Sequence, residues 1–282
     1  MLSILLPTDF SENSWNAISY ALEFFKYQKT EFYLMHAYQN EFYDHDELTS
    51  RDVYEDVLGN VKNQSQKNLD NLIARVKKIA THTRFKFHAI SAYSTLVEEA
   101  NLIADAKNID LIVMGTKGKS DERNIIFGSQ TFQVLKYVQC PVLAIPSEYN
   151  NTQPKRILFP TDYMIPYKRR ELKLLSVLAK SYRSTINVLY VSKSRNLSIR
   201  QEDNKAFLED TLREHEVNYC HEHEKNIAET IKKFITHKNI DMLTMVNTQH
   251  SFLEDMLFPS NIDKVSLGLK IPLLAMQNTA RF

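Results

Sequence analysis

The chain has 282 residues, 43% hydrophobic and 24% charged, which is the composition of a soluble globular protein with one large or two ordinary domains. Its 35 basic and 34 acidic side chains leave a net charge of +1, so nothing marks a partner nucleic acid or an anionic membrane. No apolar run approaches the roughly 18 residues of a transmembrane helix. The apolar start, Met1 to Pro7, is short and lacks a basic leader, so it reads as a strand. Cys140 and Cys220 lie far apart without redox or metal spacing, and a reducing cytoplasm is the expected setting.

In chain order, residues 2–7 predict a strand and 13–27 a helix, with Trp15, Ile18, Leu22 and Phe25 at helical spacing. A strand over 31–37 precedes a long charged helical stretch over 52–80. Strand 84–90 leads into helix 95–107, opened by the capping pair Thr95 and Glu98. Strand 109–114, helix 129–138 and strand 141–146 close the first round. A polar linker, Ser147 to Pro154, leads to a second round, in which Asn226 and Glu229 form another capping pair.

The second round repeats the first. Ile4-Leu5-Leu6-Pro7-Thr8-Asp9 recurs as Ile157-Leu158-Phe159-Pro160-Thr161-Asp162. Asn108-Ile109-Asp110-Leu111 recurs as Asn239-Ile240-Asp241-Met242. A gapless shift of 131 from that anchor sets Pro141-Val142-Leu143-Ala144 on Pro272-Leu273-Leu274-Ala275. Alternating βα units in each copy predict an α/β fold, two tandem domains over 1–148 and 154–282, each with a parallel sheet covered on both faces.

The glycines locate a site. Only five occur, and three of them, Gly115, Gly118 and Gly128, fall within fourteen residues. Glycine reaches φ > 0 and admits close backbone approach. The cluster starts where an apolar strand ends and finishes at the start of an amphipathic helix. Converging N–H groups and a helix dipole make such a place an anion site, with phosphate as the natural guest. A Walker A loop ending in Gly118-Lys119-Ser120 would need its first glycine at Val113, in mid-strand, so that reading fails. The G-x-G-x-x-G dinucleotide fingerprint is absent from the sequence as well.

The pattern present is G-x2-G-x9-G-S, over Gly115, Gly118, Gly128 and Ser129. It resembles the nucleotide-binding signature of the universal stress protein family. Pro7-Thr8-Asp9-Phe10-Ser11, His36-Ala37 and Cys140-Pro141-Val142-Leu143-Ala144-Ile145 stand where that family carries its other landmarks. The resemblance implies a doubly wound, Rossmann-like sheet of five strands in the order 3-2-1-4-5 in each domain. It implies ATP as ligand, with Mg2+ as a companion ion, and a binding set of Pro7, Thr8, Asp9, Ala37, Met114, Gly115, Thr116, Gly118, Gly128, Ser129, Gln130 and Thr131. Asp9 would read the adenine, although a helix-opening role suits it equally and the two are compatible. Ser129, Gln130 and Thr131 would meet the phosphates from the first turn of a helix. In doubly wound sheets ligands sit where the strand order reverses, here between strands one and four, so Asp9 and Gly115 should be neighbours.

The second copy departs from this. The same shift replaces Gly115 by Val246, Gly118 by Gln249 and Gly128 by Pro259, with only Ser129 matched by Ser260. The nucleotide is therefore expected in the first domain only. The degenerate domain is expected to pack on the first as an intrachain pseudo-dimer, pairing strands 141–146 and 271–276, and a homodimer of whole chains is compatible with this. His221 and His223 are too few for a structural zinc site, and no metal site is expected. Lys117, Lys119 and Arg123 read first as a solvated loop. No catalytic residue can be named from spacing. Three functions stay open: a nucleotide-dependent stress-response module, an enzyme with slow ATP hydrolysis or phosphoryl or adenylyl transfer on the same fold, and a nucleotide-free scaffold.

Overall fold

A computed structural model describes residues 1–44, 51–80, 84–118, 127–194, 196–224, 226–247 and 269–278. The chain divides into two units, Met1–Glu148 and Tyr149–Phe282.

The first unit runs β1 (Leu2–Pro7), α1 (Glu12–Phe24), β2 (Thr30–Ala37), α2 (Gln39–Tyr43), α3 (Arg51–Ile79), β3 (Phe85–Ala92), α4 (Leu96–Ala106), β4 (Leu111–Gly115), α5 (Ser129–Tyr137) and β5 (Val142–Ile145). Its strands pair in parallel in the order β3-β2-β1-β4-β5. The second unit runs β6 (Arg156–Thr161), α6 (Arg169–Tyr182), β7 (Thr185–Val191), α7 (Ile199–Leu212), β8 (Val217–Glu222), α8 (Ile227–Lys238), β9 (Met242–Asn247) and β10 (Leu273–Gln277). Its parallel order is β8-β7-β6-β9-β10. Both are the expected 3-2-1-4-5 winding. The central strands are continuous apolar runs because helices cover both faces: Leu111 to Met114 are buried throughout, as are Ile157 to Phe159. Among the described residues, no helix is long and apolar enough to cross a membrane.

Three local expectations need correction. The first helix stops at Phe24, because Phe25 caps it through its N–H to the Ala21 carbonyl and Gln28 then turns back on Phe25. Helix α2 has no counterpart in the sequence reading. The capping pairs are only half made. Thr95 accepts the Glu98 N–H, but the Glu98 carboxylate takes the Thr95 hydroxyl rather than its backbone N–H. Asn226 accepts the Glu229 N–H while Glu229 pairs with Lys233 at 3.2 Å. The reciprocal box stands at Ser198 and Gln201, on α7.

Candidate functional site

A cavity of about 580 Å³ opens at the carboxyl ends of β1, β2 and β4, where the strand order reverses. That volume suits a drug- or nucleotide-sized ligand. Of the twelve expected residues, Pro7, Thr8, Asp9, Ala37, Met114, Gly115, Gly118, Ser129, Gln130 and Thr131 line it. Thr116 and Gly128 do not; they bond each other instead, the Gly128 N–H donating to the Thr116 carbonyl at 2.8 Å. Asp9 and Gly115 share this one cavity although about a hundred residues separate them.

The β1–α1 turn brings Asp9 to the wall. Phe10 has φ 61°, a left-handed conformation that a bulky residue rarely takes. Neighbouring side chains compensate. The Thr8 hydroxyl accepts the Phe10 N–H at 3.0 Å, and the Asp9 carboxylate accepts the Ser11 N–H at 3.0 Å and the Ser11 hydroxyl at 2.6 Å. Ser11 in turn caps α1 by accepting the Ser14 N–H.

Gly115 and Gly128 make no use of the left-handed freedom of glycine. Gly115 is outside the left-handed region. A Cβ there would stand 3.0 Å from the Asn13 carbonyl oxygen, so glycine lets α1 approach β4 without displacing the Asn13 backbone. The Gly115 carbonyl accepts the Thr131 hydroxyl at 2.9 Å, which ties the first turn of α5 to the strand end and commits that hydroxyl proton within the fold. Gly128 is the N-cap of α5 with φ −64° and supplies no side-chain cap. The first-turn N–H groups of Ser129, Gln130 and Thr131 thus lack a side-chain acceptor from the N-cap, at a helix end that attracts anions.

The far wall escaped the sequence reading. Helix α2 contributes Asn40, Glu41, Tyr43 and, just beyond it, Asp44. Ser94 comes from the turn after β3 and Leu96 from the start of α4. The buried His36 ring bonds the Ser65 hydroxyl at 2.8 Å through Nδ1 and the Glu41 carboxylate at 3.2 Å through Nε2, and it packs 4.6 Å from Phe10. The Tyr93 hydroxyl bridges Tyr54 at 3.1 Å and Tyr43 at 3.2 Å. Burial, then those hydrogen bonds, push its phenol well above the usual range, so it remains a neutral donor. Two residues after a strand end were the available signal for α2, but five residues are too few for periodicity.

The charges are segregated. Asp9, Glu41 and Asp44 lie on the β1–β2–α2 side, and Lys117 with the α5 N-terminus on the β4 side. A ligand with donor groups at one end and an anionic group at the other matches this arrangement.

At the corresponding strand ends of the second unit, the described residues enclose only about 70 Å³. Tyr167 fills the space and hydrogen-bonds the Thr161 hydroxyl, with Ile165 and Val246 beside it. Gln249, Pro259 and Ser260 lie outside the described residues, as do Lys119, Ser120 and Arg123. His221 sits on β8, the last strand of its sheet, and bonds the Ser192 carbonyl at 2.9 Å. Among the described residues, no cluster of three or more metal-ligating side chains occurs.

A sequence model of the universal stress protein family matches residues 1–146 and again 154–277. Universal stress protein MJ0577 of Methanocaldococcus jannaschii is 30% identical over 155 residues, which is 50% of this chain and 93% of that protein. Universal stress protein MJ0531 of the same organism is 31% identical over 143 residues, covering 50% and 80%. The crystal structure of a universal stress protein from Archaeoglobus fulgidus superposes with a TM-score of 0.70 at 19% identity over 98% of both chains, a likeness of fold.

Proposed function

The chain belongs to the universal stress protein family, and on that premise we propose that it is a nucleotide-dependent stress-response module whose first domain alone binds ATP. The observation that carries this reading is the polarised cavity of about 580 Å³. Its acidic side offers acceptors to the amino and hydroxyl groups of adenosine, and its β4 side offers Lys117 and the N–H groups of α5 to phosphate. Mg2+ would ride on the phosphate oxygens, as this hard ion prefers. Gly118 supports the same reading, since a side chain there would take space beside the phosphates.

Calorimetric titration of the full chain with ATP tests it. One nucleotide per chain is expected, and Gly118→Val should weaken binding at least about a hundredfold with the fold retained, as loss of close backbone approach implies. A stoichiometry of two, or unchanged affinity in the variant, would refute the assignment.

The intrachain pseudo-dimer belongs to this proposal. Each repeat ends on a buried apolar strand, Val142–Ile145 and Leu273–Gln277, and an uncovered apolar edge strand invites aggregation. Residues 1–148 expressed alone should then dimerise or aggregate. A stable monomer by light scattering would sink this part of the reading.

A further inference from the structure

A second cavity, of about 230 Å³, lies against the same β1–α1 turn and is lined by residues of α1 and α3. Thr8 and Ser14 line both cavities, so their buried hydroxyl pair, 3.0 Å apart, is a shared wall. From α3 come Asn68, Asn71 and Arg75, spaced by three and four residues and therefore on one helix face. From α1 comes Trp15. The Arg75 guanidinium carbon stands 3.5 Å from the centre of the Trp15 ring. Stacking holds the guanidinium by its face and leaves its N–H donors to leave through the edge. Arg75 is the one ionised group in this lining, and it makes no ion pair with a carboxylate among the described residues. A forked cation fixed on an aromatic platform, beside the Asn71 amide and without an acid of its own, is complementary to an oxyanion.

We propose that this groove is a second ligand site, for a small oxyanion, the carboxylate or phosphate group of a metabolite. Arg75 makes the forked contact, Asn71 adds an amide donor, and Trp15 fixes the guanidinium. Nothing in this assignment depends on what the larger cavity binds.

Trp15 is the only tryptophan in the chain and lines this groove, so its emission reports on the groove's occupancy. The experiment titrates the full chain with inorganic phosphate and, separately, with acetate, at ionic strength held constant with chloride. A saturable change in Trp15 emission is expected with at least one of them, and which one saturates identifies the chemical source. Arg75→Ala should weaken it at least about tenfold, as loss of a charge-assisted fork implies. The substituted position is on an exposed helix face where alanine favours the helix, and an unchanged circular-dichroism melting curve in the variant would show the fold intact. Gly118→Val should leave the response as it is. The proposal is overturned if neither anion gives a saturable change, if Arg75→Ala responds like the parent, or if the Gly118 variant loses the response, which would put the phosphate in the glycine loop instead.

Discussion

At the amino ends of the strands, Asp110 and Asp241 serve their domains in the same way. Each carboxylate accepts a backbone N–H of the neighbouring first strand at 2.9 Å, from Ser3 and from Arg156. Each N–H donates back to that same residue's carbonyl, at 2.8 and 2.9 Å. The left-handed residues also recur, Asn108 with Asn239 and Phe10 with Tyr163. Even the turn built by Thr8 and Asp9 is rebuilt by Thr161 and Asp162, which accept the Tyr163 and Met164 N–H groups at 2.8 Å. What differs is the cavity that the described residues form above that turn, about 580 Å³ in one domain and about 70 Å³ in the other. The Thr-Asp signature therefore encodes a turn whether or not a roomy cavity lies over it. The glycine spacing and the volume around it are what separate the two copies.

The sharpest way to break this contrast is to remove the plug. Tyr167→Ala should destabilise the second domain by about 3 kcal/mol, the scale of deleting a buried aromatic ring. ATP stoichiometry should stay at one, because Val246 and the lost glycines would still deny a phosphate loop. Amide exchange resolved by domain reads the first effect and calorimetry the second. A second bound nucleotide would show that the tyrosine alone had closed the site.

The converse experiment imports the second domain's residue into the first. Gly115→Val sets side-chain atoms against the Asn13 backbone, where even a Cβ stands at 3.0 Å, and should cost about 2–3 kcal/mol as overpacking does. ATP affinity should fall with it, since α1 and β4 frame the cavity. Unchanged protection in the first domain would show that α1 has room to retreat.

The features legible in the sequence are those that the backbone demands locally. The repeat anchors, the strand runs and the glycine spacing each express a need of a few adjacent residues, and the strand order came from the family they resemble. The unread features depend on groups far apart in the chain. Gly115 lies against the Asn13 backbone, and His36 is held by Ser65, contacts that no spacing rule links. Helix α2 is too short for periodicity, so its share of the cavity wall was invisible. The twelve residues named from sequence cover the β1 and β4 sides well and the β2–α2 side only through Ala37.

At the amino ends the repeats should respond in parallel but unequally. Asp241 also accepts the Lys155 N–H at 2.9 Å and the Asn151 amide at 3.2 Å, whereas among the described residues Asp110 accepts only from Ser3. Asp241→Ala should therefore cost its domain about 2 kcal/mol and Asp110→Ala about 1 kcal/mol, on the scale of hydrogen bonds to charged acceptors. Equal losses would mean that the extra bonds to Asp241 contribute nothing net.

The smallest effect tests whether the two copies are equivalent where their geometry is. Asn108 and Asn239 follow α4 and α8 with φ of 48° and 49°, and the next residue's N–H returns to the helix at 3.0 Å in both, Ile109 to Ala104 and Ile240 to Ile235. Asparagine tolerates the left-handed region better than other side chains except glycine, whereas alanine pays a steric penalty there of roughly 1 kcal/mol. Asn108→Ala and Asn239→Ala should each destabilise their own domain by about that amount, because the left-handed φ is nearly the same at both. Denaturation followed by domain-resolved exchange should give two shifts within about 0.5 kcal/mol of each other, the usual agreement for independent sites. A loss confined to one domain would mean that the helix end in the other is held by tertiary packing, and that the repeat has diverged at the amino ends too.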